Sequence, residues 1–231
     1  MQSGEASEVE TLLEELERAG VVRSVDDDGM ALTDEILEHL EEAEAFVDDA
    51  DDETLRAELE EWIDDDDELT ALVEIGEANE DILVEYLALC RFLEGELGHA
   101  ERLRSLSWFG ELRHGEPRDE GAPEAFLPVH TDRLPLLLRL VDHAMVYVWL
   151  DDCDPCDLMV ETFDDVVDEP PEGLALFAAF GPDAPRLLHE QYDIYGGPAI
   201  ASFVNGEVDA RFYGAQTEKT VETELRKAAP K

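Results

Sequence analysis

The sequence predicts an α + α/β chain: an acidic all-helical N-terminal domain over residues 1–112, a connection over 113–127 and an α/β domain over 128–231. Three observations carry this. Apolar residues recur at helical spacing through the first 112 residues. Residues 111–125 then lose all period and are rich in Gly, Pro and charge, as at a domain boundary. Beyond them, short apolar runs alternate with amphipathic stretches in the order α-β-α-β-α-β-β-α, which calls for a central sheet with helices on both faces.

In chain order, Ser7-Glu8-Val9-Glu10 is a capping box. It opens a helix with Val9, Leu12, Leu13, Leu16 and Ala19 on one face, stopped by Gly20. Residues 21–32, with a turn at Asp26-Asp27-Asp28-Gly29, fit a small β-hairpin. Thr33 caps a helix carrying Ile36, Leu37, Leu40, Ala43 and Val47, and further helices are expected over 53–63, 68–75, 79–93 and 99–112. The helix and hairpin ending Ala31-Leu32-Thr33 resemble the tail of a winged-helix domain, but the preceding helices are missing and the charge is wrong for DNA. The acidic clusters at 48–53 and 64–68 lack the alternating ligands, central Gly and terminal Glu of a calcium loop and read as connections and solvated faces. Cys90, among Tyr86, Leu87 and Leu93, reads as a small buried hydrophobe rather than a redox partner. After the connection, helices are expected over 132–143, 156–168, 184–192 and 217–228. Strands are expected over 144–150, 174–180, 199–204 and 207–213, the last two joined by an Asn205-Gly206 turn.

The 231 residues include 61 acidic and 16 basic ones, a net charge of −45, with apolar content normal for a folded protein. Residues 1–120 hold 40 acids and 8 bases, residues 121–231 only 21 and 8. Self-repulsion on this scale destabilises a compact state in dilute buffer, whereas at ~1 M salt the Debye length falls to ~3 Å. The chain therefore reads as a halophilic, acidic protein of a salt-rich cytoplasm. Nucleic acid and anionic membranes are excluded as partners by this surface. Residues 1–10 lack the basic start and apolar core of a signal peptide, and no apolar run reaches the ~20 residues of a membrane helix, so a soluble, cytoplasmic protein is expected.

The chemistry concentrates in residues 147–157, Y-V-W-L-D-D-C-D-P-C-D. An apolar strand runs into Cys153-Asp154-Pro155-Cys156, and an amphipathic helical pattern begins there. A helix start stabilises a thiolate through backbone N–H groups and the positive end of the macrodipole. A second thiol three positions on can resolve the mixed disulfide that the first one forms. Zinc is the rival reading, but a closed site needs two more ligands, and only Cys90 and scattered histidines remain. No metal and no cofactor is expected.

Residues 131–231 resemble thioredoxin. Cys-x-Pro-Cys follows an aromatic strand with Trp149 four residues before Cys153. Gly197-Pro198 opens an apolar strand where the family keeps its cis-proline, and P-A-I-A-S-F-V-N-G-E-V…Y-G-A follows the terminal hairpin without a gap. The resemblance implies a four- or five-stranded mixed sheet, with Cys153 as nucleophile and Cys156 as resolving thiol. It also implies a substrate surface at Trp149, Asp154, Pro155, Gly197 and Pro198, where the cis-proline offers an extended backbone edge to a peptide. Gly197 stands where the family has a β-branched residue, so a more open groove is expected.

Four positions depart from the pattern: Tyr147 for the buried acid, Ala179 for its lysine, Asp152 for the tryptophan before the motif, and Asp154 for glycine. Cys156 then lacks an evident general base, leaving the Tyr147 hydroxyl or water as candidates, and Asp151, Asp152, Asp154 and Asp157 oppose thiolate formation, which favours a reductant over an oxidase. The expected function is thiol–disulfide oxidoreduction on protein disulfides, recharged by a dithiol reductant or reductase, with the helical domain selecting the client. The alternative is a non-catalytic or redox-sensing binding module on the same scaffold.

Overall fold

The computed structural model describes residues 2–25 and 29–230, with the backbone alone for residues 2–10. The chain divides into two compact units, Met1–Gly115 and Glu116–Lys231.

The first unit comprises α1 (Gln2–Ala19), β1 (Val22–Val25), β2 (Gly29–Leu32), α2 (Asp34–Asp49), α3 (Asp52–Glu60), α4 (Asp66–Ala78), α5 (Glu80–Leu93) and α6 (His99–His114). α1 begins upstream of the expected capping box, whose side chains lie outside the described residues. β1 and β2 pair antiparallel from Val22↔Leu32 to Val25↔Gly29; the expected turn at Asp26–Asp28 lies outside the described residues. α5 is the centre. Residues 82–90 are buried on every side, as a helix packed against α2, α4 and α6 requires. Within it, the buried carboxylate of Glu85 accepts from Arg113 at 2.9 Å.

The acidic runs do more than solvate the surface. Asp51 accepts from the Thr54 N–H, and Asp65 accepts from those of Asp67 and Glu68, so each caps the helix that follows. The remaining acids of those first turns sit at the positive end of the helix dipole.

The second unit comprises β3 (Leu127–Val129), α7 (Leu134–Leu140), β4 (His143–Trp149), α8 (Asp154–Val166), β5 (Ala175–Phe180), α9 (Pro185–Tyr192), β6 (Ala199–Val204), β7 (Glu207–Tyr213) and α10 (Glu218–Ala228). Its sheet order is β3-β5-β4-β6-β7. β4 runs parallel to β5 and antiparallel to β6, so the sheet is mixed, and five strands form it. The chain is thus α + α/β.

β4 lies at the middle of the sheet and is buried on both faces. Met145, Tyr147 and Trp149 join Met159 and Phe163 of α8 and Val221 and Leu225 of α10 in one core. On the other face Tyr192 of α9 meets Phe203 of β6 edge-on at 5.3 Å. Asn205 and Gly206 both take left-handed φ, +51° and +80°, as a two-residue hairpin turn between right-twisted strands demands.

The expected connection at 113–127 is corrected in both of its parts. Arg113 and His114 complete α6, whereas residues 116–126 pack within the second unit. There the Phe126 ring lies 4.6 Å from that of Phe163 and 6.3 Å from that of Tyr147. β3 follows at once, pairing Leu127–Val129 parallel with residues 177–179 of β5. Pro128 is tolerated because β3 is an edge strand.

Candidate active site

β4 ends at Trp149, and the chain must reverse within four residues to start α8 at Asp154. Asp152 makes the turn at φ +51°, a left-handed conformation that Asp tolerates better than most residues. Cys153 becomes the residue capping α8, and its carbonyl accepts from Cys156 at 2.7 Å and Asp157 at 3.2 Å. Pro155 falls in the first helical turn, where a missing N–H costs nothing. The helix starts before the second cysteine, not at it as the periodicity suggested, so both cysteines belong to its opening turn.

Cys153 and Cys156 are joined in a disulfide with their Cα atoms 5.2 Å apart. The two cysteines differ in burial: Cys153 is half-buried and Cys156 is 3% exposed.

Beneath the motif, Tyr147 is fully buried and its hydroxyl donates to the Cys156 carbonyl at 3.1 Å. Burial, aided by the nearby Asp157 charge, pushes the phenol well above its ordinary range, so it remains protonated. Tyr147 therefore ties down the first turn of α8 and is not a proton acceptor for Cys156.

The Gly197–Pro198 peptide bond is cis. Strand register sets Ala199 opposite Val148, which brings this loop to the end of the sheet where α8 starts. Pro198 is buried, and its carbonyl accepts from the Gly214 N–H at 2.8 Å. The expected open groove at Gly197 is not present. A Cβ there would lie 3.0 Å from Leu150 Cγ and 3.0 Å from the Val148 carbonyl oxygen, so Leu150 already fills the space of a side chain.

Of the other expected substrate contacts, Asp154 and Pro155 are exposed and Gly197 is half-buried. Trp149 is 4% exposed. Its ring packs on Phe180 at 4.6 Å and is covered by Gly121, where a Cβ would come within 2.3 Å of the indole. Beside the cis-proline loop lies a mostly apolar groove of about 500 Å³ lined by Val148, Leu150, Pro182, Leu188, Ile194 and Tyr195. Tyr195 is 69% exposed and meets His189 edge-on at 4.4 Å.

Leu150, Tyr195 and Arg118 were not singled out by sequence. Arg118 donates to both carboxylate oxygens of Asp151, at 3.2 and 3.4 Å, and lies 4.3 Å over the Phe180 ring. Its sequence signal is one of two arginines in an acidic, unperiodic stretch, which assigns it nowhere. Cys90 belongs to the first unit, is fully buried, and has its thiol pushed up to about 12 by burial.

The fold and site together define a mixed five-stranded α/β unit with a Cys-x-Pro-Cys disulfide opening a helix. No family model matches the chain, and no curated protein matches it. Similar solved structures include the thioredoxin Mala s 13 of Malassezia sympodialis, with a TM-score of 0.39 and 16% identity over 44% of this chain and 90% of that one. Another is a mutant thioredoxin from Halobacterium salinarum NRC-1, with a TM-score of 0.39 and 17% identity over 48% of this chain and 96% of that one. The assignment of architecture stands on strand order and register.

Proposed function

We propose that this chain is a thiol–disulfide oxidoreductase that reduces protein disulfides in a salt-rich cytoplasm. The observation that carries the reading is the unequal burial of the two disulfide-bonded cysteines at the start of α8: Cys153 half-buried, Cys156 buried. In the reduced protein the Cys153 thiolate attacks one sulfur of a client disulfide, forming a mixed disulfide and releasing the other client sulfur as a thiolate. Cys156, as thiolate, then attacks the Cys153 sulfur. This re-forms the Cys153–Cys156 bond and frees the second client sulfur, which takes a proton from solvent. An external dithiol, itself oxidised to a disulfide, returns the pair to the reduced state.

The client peptide lies across Asp154, Pro155, Gly197 and Pro198. With the Pro198 carbonyl engaged, the backbone of Gly196 and Gly197 is the edge open to the client, and the apolar groove lined by Leu150 and Tyr195 receives a neighbouring side chain. Trp149 supports this surface from below. The helical first unit selects the client.

A second reading is a redox-sensing binding module, favoured by Tyr147: a neutral phenol where a base would assist Cys156. Insulin reduction in molar KCl with dithiothreitol separates the two. Turnover that disappears in Cys153→Ser supports the oxidoreductase; a wild-type chain that forms and breaks its own disulfide yet turns over no substrate rejects it in favour of the sensor.

A further inference from the structure

We propose that Arg118 is a positioning residue of the Cys153–Cys156 site: it binds the Asp151 carboxylate, fixes the loop that carries Cys153 and cancels one of the charges opposing its thiolate. The inference rests on the redox reading above.

Residues 118–126 cross this side of the second unit and are held at four points. Arg118 is paired with Asp151 and stacked on Phe180; Gly121 lies against Trp149; the Glu124 N–H donates to Asp164 Oδ1 at 2.8 Å; Phe126 enters the core beside Tyr147 and Phe163. The strap thus ends its ordered contacts at the turn between β4 and α8, two residues before the nucleophile. Four exposed aspartates, 151, 152, 154 and 157, surround that turn, and Tyr147 beneath it is neutral. Among the described residues, Arg118 is the one basic side chain paired with any of the four. Its geometry is set from two directions at once, by the carboxylate and by the aromatic face, which a flexible lysine would not reproduce.

Arg118 and Asp151 are about half and two-thirds exposed, so their pairing contributes little to stability and is screened by salt. What it changes is the local charge. Without Arg118, Asp151 adds an uncompensated negative charge near the sulfur, and the thiolate population falls by roughly threefold at neutral pH and low ionic strength.

The test is the pH profile of Cys153 alkylation in the reduced full-length chain, at about 0.1 M KCl with an excluded osmolyte to keep it folded and again at about 2 M KCl. Arg118→Gln is expected to shift the profile upward by about half a unit at low salt, with little change in melting temperature and almost no shift at high salt. Arg118→Gln with Asp151→Asn should return the profile towards wild type, and Arg118→Lys should restore it in part. An unshifted Arg118→Gln profile at low salt overturns the proposal. So does a shift that Asp151→Asn fails to reverse, since Arg118 would then act through packing alone. If the profiles behave as expected but no variant, wild type included, reduces insulin, the positioning role stands and the oxidoreductase reading falls.

Discussion

The two units dispose of their acidic residues and their cysteines in opposite ways. In the first, carboxylates finish helix ends, as Asp51 and Asp65 do, or pair with an arginine from the interior, as the buried Glu85 does, and the single thiol sits sealed in α5. In the second, four carboxylates crowd one turn that contains the only disulfide among the described residues, and one cysteine of the pair is only half-buried. Position, not residue type, sets the two cysteine environments apart: mid-helix burial strips a thiolate of solvation, whereas a helix start supplies N–H groups to it.

The largest expected effect tests that contrast directly. In the reduced native chain, Cys153 should be alkylated at least ~10³-fold faster than Cys90 at neutral pH, because a thiol raised to about 12 holds almost no thiolate. Mass spectrometry of the modified peptides reads the ratio, and comparable rates would erase the distinction between the units.

A smaller effect sharpens the description of the site. Gly197→Val should lower stability by roughly 1–3 kcal/mol through overpacking against Leu150, measured by denaturant unfolding in high salt. Leu150→Ala in the same chain should recover part of that loss by vacating the space, with the coupling visible in a double-mutant cycle. Additive losses would mean that Leu150 does not occupy the missing side chain's place.

The last concerns the first unit alone. Cys90 is raised from 9.0 to about 12, so the unfolded chain releases this proton before the folded one does. The stabilisation is complete below pH 9 and is lost as pH rises towards 12, at roughly 1 kcal/mol per pH unit. Cys90→Ala should flatten part of that alkaline limb, leaving a remainder from Tyr86, which burial also raises. An unchanged limb would place Cys90 in a more solvated setting than its burial indicates.

Much of the second unit was legible because its signals are local. Asn205-Gly206 between two apolar runs specifies a tight turn, and a Cys-x-Pro-Cys after an aromatic run marks a strand-to-helix junction. What escaped has no period to read. β3 is three residues long and contains Pro128, so neither length nor propensity distinguishes it, and pairing with β5 alone makes it a strand. The strap from Arg118 to Phe126 is anchored by one guanidinium, one bare Cα, one N–H and one ring at uneven intervals; composition there suggests a loose connection, while tertiary contact fixes it. Gly197 illustrates a different failure. The absent side chain suggested room, but the room is taken by Leu150, forty-seven positions earlier in the chain. In the first unit the acidic clusters were legible as polar but not as caps, because which carboxylate meets which N–H depends on where the helix begins.

Tyr147 has a consequence for how this protein tolerates changing acidity. A phenol that stays uncharged across the physiological range holds the opening coil of α8 with the same grip in mild acid as in mild base. The scaffold beneath the sulfurs is thereby insulated from proton count, and acidity can act on this turn only through the sulfurs themselves and the exposed carboxylates around them.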